Sequence, residues 1–246
     1  MKRLCIITLA ILCLGFCQEI YAEIRNGYEE EIIKVEKWLN QLHEIANAPL
    51  NELQREKMNK KLEEAHATAD KLQENHGKTQ ELIEMFRMID SVLYDEINTI
   101  QDCEGNETDV YIKVVDRLSL GMLGATNVDH SIDNPNVYSS EYGDYTVSVR
   151  IVNTNPIKAM LILVHELGHV RYQVPHLADY IRFYKKTYQN KYLEGIKKGH
   201  HPDDPGHNTI EETLIAFKAS WIKYNKEMKR KAKIKSRKSL ASTRED

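Results

Sequence analysis

Hydrophobic residues recur at helical spacing through the first part of the chain. They stand three and four positions apart over residues 32–45 and again over residues 82–97, which places them on one face of a helix. The stretch between these segments is highly charged, and Pro49 and Gly77 are expected to interrupt it. The pattern predicts an α-helical region over residues 23–104, with three helices packed as a hairpin or a small bundle.

Farther along the chain, apolar and polar residues alternate. Residues 109–115 and 145–152 follow this period of two, which is typical of strands with one buried face. A loop rich in Asn, Asp, Ser and Tyr joins them over residues 127–143. Asn155 and Pro156 then supply an N-cap and a first helical residue, so a helix is expected to begin there. Strands that precede a long apolar helix predict an α+β fold.

The expected helix carries the strongest chemical signal in the chain. An apolar run over residues 159–164 leads into H-E-L-G-H at residues 165–169. On a helix, His165 and His169 project from one face about a turn apart, so both imidazoles can reach one metal ion. Glu166 is offset from His165 by one residue, which leaves its carboxylate beside the metal, where it can take a proton from water.

A chance match to so short a motif is the alternative interpretation. It would place the histidines and the glutamate in a polar helix whose side chains face solvent, whereas this motif follows an apolar segment. Burying two imidazoles and a carboxylate without partners would cost several kcal/mol, and coordination of a metal removes this cost. We therefore predict a site for Zn²⁺.

The stretch V-H-E-L-G-H-V at residues 164–170 resembles the active-site helix of the zincin metallopeptidases. The resemblance covers this helix and one ligand farther along the chain. It implies a zinc-dependent peptidase with two His ligands, here His165 and His169, and a catalytic Glu, here Glu166. It also implies a substrate that lies along an edge strand. The expected unit is a zincin-like domain over residues 105–228, with a small sheet and a buried active-site helix.

A second amphipathic helix is predicted after the loop that ends near Gly206. Either Asn208 or Thr209 can serve as its N-cap. If Thr209 is the cap, Glu212 stands at the third helical position and completes a capping box, which leaves Glu211 for a metal. Glu211 also lies on the border of the apolar stripe, whereas Glu212 points nearly opposite. The stripe consists of Ile210, Leu214, Phe217 and Trp221.

The third ligand decides the subclass. H-E-x-x-H followed by a Glu on a second helix resembles the gluzincin branch, which makes Glu211 the predicted ligand, although Leu214 stands where Ala is common. The metzincin pattern would require Gly at position 172 and His at position 175, where this chain has Tyr172 and Pro175. An aspartate ligand would resemble the aspzincins instead. The alternative ligands are Glu212, Asp203, Asp204, His200, His207 and His176.

Peptide hydrolysis also needs a hydrogen-bond donor for the oxyanion that forms at the attacked carbonyl. His207, His200 and Tyr172 are the nearby options, and we take His207. The prediction is a zinc metalloendopeptidase that acts on a peptide or protein substrate, with metal-activated water and Glu166 as general base. The alternative is a catalytically inactive zincin-like or helical protein that acts as a binding module. No nucleic acid partner is expected, and the oligomeric state stays open.

The N-terminus resembles a targeting segment. Positive charge precedes an apolar stretch over residues 4–16, and Ala22 offers a small residue at the cleavage position. This arrangement is typical of a secretory signal peptide over residues 1–22. We therefore expect a secreted or periplasmic protein with no stable membrane insertion after cleavage, in which Cys103 is the remaining cysteine.

The C-terminus is strongly basic, although the net charge of the chain is only −3. Residues 223–238 hold nine Lys or Arg side chains against one Glu. Like charges at such density repel one another and cannot build a core. Residues 229–246 are therefore predicted to form a basic, disordered tail.

Overall fold

A computed structural model describes residues 24–102, 105–128, 146–176, 179 and 206–242. These residues form an α+β fold with five α-helices and a mixed four-stranded sheet. The predicted fold class is confirmed. The helices and strands in chain order are β1 Ile24–Asn26, α1 Glu29–Ala46, α2 Glu52–Ile89, α3 Ser91–Asn98, β2 Asp109–Val115, β3 Gly124–Val128, β4 Thr146–Val152, α4 Pro156–Gln173 and α5 His207–Ser242.

The sheet has the strand order β1-β2-β4-β3. β1, β2 and β4 run parallel, whereas β3 pairs antiparallel with β4 at one edge. The two predicted strands correspond to β2, which has the predicted bounds, and to β4. Alternate residues on both strands are buried, as a period of two requires. They are Val110, Ile112 and Val114 on β2, and Val147, Val149 and Ile151 on β4.

The hydrophobic core draws on most of the described elements. β1 and the second half of α2 contribute Ile24 and Phe86, the sheet contributes Val149, and α4 and α5 contribute Leu163 and Phe217. Side chains from both predicted regions, 23–104 and 105–228, therefore lie in the same core. Nine of the 18 residues of α4 are buried, so the helix that carries the H-E-x-x-H motif runs through the interior.

Two expectations for the N-terminal region are wrong. Residues 24–26 form β1, which pairs with β2 from Ile24 opposite Val110, because a partner strand and not the local hydrophobic period decides this conformation. The predicted break at Gly77 is absent, and α2 runs through it, since one helical glycine costs only about 1 kcal/mol. The break at Pro49 is confirmed, because α1 ends at Ala46 and α2 begins at Glu52.

Helix α5 also differs from the prediction at both ends. It begins at His207, and the amide of Ile210 donates to the carbonyl of Gly206 at 3.1 Å, so neither Asn208 nor Thr209 is its N-cap and no capping box forms there. The helix continues to Ser242 across residues predicted to be disordered, where lysines and arginines have good helix propensity. Among the described residues, no helix is long and apolar enough to cross a membrane.

Candidate metal centre

Local sequence explains where α4 begins. The Asn155 side chain accepts a hydrogen bond from the amide of Lys158 at 2.9 Å, and Pro156 occupies the first turn. The cap satisfies one of the free amides at the helix start, and the proline fixes a helical backbone angle. Both features were predicted. They set the phase of the helix, and therefore the direction in which each residue of the H-E-x-x-H motif points.

Glu166 is buried between α4 and the edge strand β3. Only 7% of the residue is accessible to solvent, relative to a fully exposed glutamate. The Thr126 hydroxyl donates to Oε2 of Glu166 at 2.7 Å and also lies 3.1 Å from the Glu166 carbonyl oxygen. Burial raises the pKa of Glu166 to about 7, against the lowering effect of the Thr126 hydrogen bonds. A carboxyl with this pKa can exchange protons near neutral pH.

His165 and His169 lie together on the partly exposed side of α4. Their ring centroids are 5.2 Å apart, with one ring edge-on to the other. Two imidazoles that share one tetrahedral zinc ion, each through one nitrogen, have centroids about 5 Å apart, so the observed separation fits the predicted metal. The amide of the buried residue Gln173 lies 3.3 Å from Nδ1 of His169. Such a partner can fix the orientation of a ligand ring.

Helix α5 crosses α4 next to these histidines. A Cβ atom added to Gly168 would lie 2.8 Å from Cα of Ile210, so a glycine is needed for the two helix backbones to approach this closely. On one flank of the crossing, the Arg171 guanidinium donates to the Thr213 hydroxyl at 2.8 Å and to Glu96 at 2.6 Å. Gly168 and Ile210 are the contact residues of the crossing. Arg171 and Thr213 each follow the contact residue of their own helix by three positions.

Helix geometry assigns the histidines of both helices to the opposite flank. Residues three positions before and three positions after a helical contact point lie on opposite sides of it. Because Arg171 and Thr213 share one flank, His165 and His207, each three positions before the contact, share the other. His169 and Glu211 follow these two by four positions and stand one turn along the same flank. By this helix geometry, both pairs belong to the same flank of the crossing.

The structure does not bring all the predicted ligands into one group. Glu211 is exposed, and its Oε1 lies 3.4 Å from Nε2 of His207. Glu212 is exposed as well. His176 lies past the end of α4, where its ring stacks on Tyr172 with centroids 5.0 Å apart. In the described part of the chain, no three His, Cys, Asp or Glu side chains are arranged to hold a metal ion. His200, Asp203 and Asp204 lie outside this part.

Some residues of the site were not predicted. β3 begins at Gly124, three positions before the predicted loop, and its residue Thr126 binds Glu166. A five-residue strand with Ala and Asn among its members has little strand signal of its own. Arg171 and Gln173 were also missed. The only available signal for them was their position two and four residues beyond the motif on the same helix.

Comparisons of the chain with models of protein families, with curated proteins and with solved structures find no match. The side chains of β3, α4 and α5 combine a buried carboxyl that can accept a proton with two imidazoles at the spacing of zinc ligands.

Proposed function

We propose that the protein is a zinc-dependent metalloendopeptidase that hydrolyses peptide bonds with Glu166 as general base. The observation that carries the proposal is the position of Glu166. It is buried, its pKa is near 7, and it is held by the edge strand while its neighbours His165 and His169 form a pair with zinc-ligand spacing. A solvent-exposed chance match to the motif would not explain a buried carboxyl with its own hydrogen-bond donor.

In this proposal His165 and His169 bind Zn²⁺ through one ring nitrogen each. Zinc, when bound, would polarise the scissile carbonyl and make a water molecule more acidic. Glu211 is the proposed third ligand, because it lies on the same flank as the two histidines. To bind the metal, the Glu211 carboxylate would have to give up its contact with His207. Its side chain is 62% exposed, so a change of rotamer meets little steric resistance. His207 would then be available to donate a hydrogen bond to the oxyanion.

Glu166 would move the proton in both halves of the reaction. Its carboxylate accepts a proton from the attacking water and returns it to the leaving amine. Burial raises the pKa of Glu166 to about 7 in the metal-free protein, and a Zn²⁺ ion next to it would favour the carboxylate, which is the form that accepts the proton. Thr126 keeps the carboxyl in place meanwhile. The removal of Glu166 should therefore affect turnover far more than metal binding.

The substrate is proposed to be an extended peptide segment at β3. Among the described strands, β3 pairs only with β4, so its outer edge faces no other strand. An extended peptide can add to such an edge through main-chain hydrogen bonds. This position would bring the peptide close to Glu166, because Thr126 belongs to β3 and contacts that side chain.

The test compares the wild-type protein with Glu166→Gln on a mixed peptide library, with cleavage followed by mass spectrometry. We expect turnover to fall by about 10³-fold or more, while the zinc content measured by elemental mass spectrometry stays the same. Glu227→Gln is a matched control, because this exposed carboxylate pairs only with Lys231 of its own helix among the described contacts. Cleavage by Glu166→Gln at the wild-type rate would refute the assignment.

A second candidate function is that of a binding module. It is favoured by the helical hairpin formed by α1 and the first half of α2, where large apolar side chains are exposed. They are Ile33, Trp38, Ile45 and Leu53. This function predicts that zinc-loaded wild-type protein cleaves nothing in the peptide library, so the same assay separates the two candidates.

A further inference from the structure

We infer that Gly124 and Thr126 of β3 form a cradle that positions the carboxyl group of Glu166. This inference rests on the proposed function and deepens it, because it assigns positioning residues to the reaction. The two residues stand two positions apart on one strand, so they lie on the same face of the sheet. One supplies a hydrogen-bond donor to the carboxyl, and the other supplies the space that the carboxyl occupies.

Thr126 provides the donor. Its hydroxyl is 2.7 Å from Oε2 of Glu166, a normal distance for a hydrogen bond from a hydroxyl to a carboxylate. It also lies 3.1 Å from the backbone oxygen of Glu166, so the same group approaches both the side chain and the main chain of α4. This contact spans 40 residues of sequence. It therefore ties the edge strand directly to the catalytic turn of the helix.

Gly124 provides the space. A Cβ atom at this position would lie 2.5 Å from Oε1 and 2.8 Å from Cγ of Glu166, and 2.7 Å from Cγ2 of Ile162. The backbone of Gly124 is not in the left-handed region, where φ is positive. The requirement for glycine is therefore steric and not conformational. Any larger residue would push the Glu166 side chain out of its position or force β3 away from α4.

The cradle is held by a well-packed partner strand. Gly124 lies opposite Ile151, and Thr126 lies opposite Val149. Both partners on β4 are fully buried. The amide of Val152 also donates to the carbonyl of Leu123 at 2.8 Å, just before β3 begins. A group held on such a strand cannot follow Glu166 if that side chain turns, so the cradle restricts the carboxyl to one orientation before substrate arrives.

The first test measures turnover of the library peptide that the wild-type protein cleaves best. Thr126→Val keeps the shape of the side chain but removes the hydroxyl, and we expect kcat to fall about 10- to 100-fold with KM and zinc content unchanged. Thr126→Ser keeps the hydroxyl and should restore kcat to near the wild-type value. Thr99→Val is the matched control, because among the described contacts its hydroxyl donates only to the carbonyl of Asp95 on the preceding helix, at 3.0 Å. A wild-type kcat in Thr126→Val would overturn the inference.

The second test needs no activity and uses the metal-free protein. Urea unfolding of the wild type, Thr126→Val, Glu166→Leu and the double variant gives a double-mutant cycle. If the hydroxyl holds the carboxyl, Thr126→Val lowers the unfolding midpoint more in the presence of Glu166 than in the Glu166→Leu background, where only the 3.1 Å contact to the backbone oxygen of residue 166 is left to lose. Equal effects in both backgrounds would overturn the cradle.

The two proposals can fail separately. A wild-type protein that binds zinc but cleaves nothing would remove the peptidase proposal, while the unfolding cycle would still decide the cradle. A second double-mutant cycle combines Gly124→Ala with Glu166→Ala. The loss of stability caused by Gly124→Ala should be smaller in the Glu166→Ala background, because that variant empties the space next to Gly124. A cost of Gly124→Ala that does not depend on residue 166 would count against the cradle.

Discussion

Helices α1 and α4 each have 18 residues, yet they bury very different numbers of them. α4 buries nine residues, whereas α1 buries only Leu42. Both segments have hydrophobic residues at helical spacing, and both are helices. On α1 several of these residues stay exposed, with Ile33 at 64% and Ile45 at 49%. A hydrophobic period thus indicates a helix and a face, but it does not indicate what covers that face.

The same contrast separates two histidine pairs. His43 and His66 face each other across α1 and α2 with ring centroids 5.6 Å apart, and His165 and His169 are 5.2 Å apart on α4. The first pair is exposed in the hairpin. The second pair adjoins the buried carboxyl of Glu166. Spacing alone would not distinguish the two pairs, so the surroundings of the α4 pair carry the functional inference.

Truncation of one large side chain on each helix should give the largest difference in stability. Leu163 on α4 is fully buried, and Leu163→Ala should lower the free energy of unfolding by about 3 kcal/mol because it leaves a cavity. Ile33→Ala on α1 should change it by less than about 0.5 kcal/mol. Urea titrations of both variants measure the difference. Equal losses would show that α1 is covered in solution by a surface absent from the described residues.

Glu166 should make the stability of the metal-free protein depend on pH. Burial raises its pKa from 4.5 to about 7, so the folded state binds this proton more tightly than the unfolded chain. The stabilisation is complete below about pH 4.5 and is lost as the pH rises through about 7, a loss of about 3 kcal/mol. Urea titrations in chelator, across this pH range, should show the loss relative to Glu166→Gln. Parallel pH profiles for the two proteins would contradict the prediction.

The two helical glycines, Gly168 and Gly77, should respond in opposite directions to alanine. Gly168→Ala should cost about 2 kcal/mol, because its Cβ would meet the backbone of Ile210. Gly77→Ala should stabilise the protein by about 0.5–1 kcal/mol, because beyond its chain neighbours and the adjoining backbone of its own helix no atom lies within 4 Å of the added Cβ, and alanine is the better helix former. Thermal unfolding of both variants measures the two effects. A gain in stability for Gly168→Ala would mean that α4 and α5 do not touch there.

Features set by neighbouring residues could be predicted from the sequence. The start of α4 depends on Asn155 and Pro156, which act within one turn. The positions of His165, Glu166 and His169 relative to one another follow from helix geometry alone. The alternation on β2 and β4 was visible because one face of each strand is buried. Each of these is a short-range pattern that the fold does not override.

Features that depend on distant partners could not be predicted. β1 is a strand because β2 offers it a parallel partner 86 positions along the chain, as in Ile24 opposite Val110. The donor to Glu166 comes from Thr126, 40 positions away. Glu211 pairs with His207 on its own helix, and its relation to His165 depends on how α4 and α5 cross. Neither propensity nor periodicity contains this information.

The metal content of the purified protein tests the proposed centre most directly. Wild type, His165→Ala and the His43→Ala/His66→Ala double variant would be prepared without chelator and measured by elemental mass spectrometry. We expect about one zinc per chain in the wild type and in the hairpin variant, and almost none in His165→Ala. Glu211→Ala in the same series tests the third ligand. A folded wild-type protein without zinc, or zinc that is lost only with the hairpin histidines, would contradict a metal centre on α4.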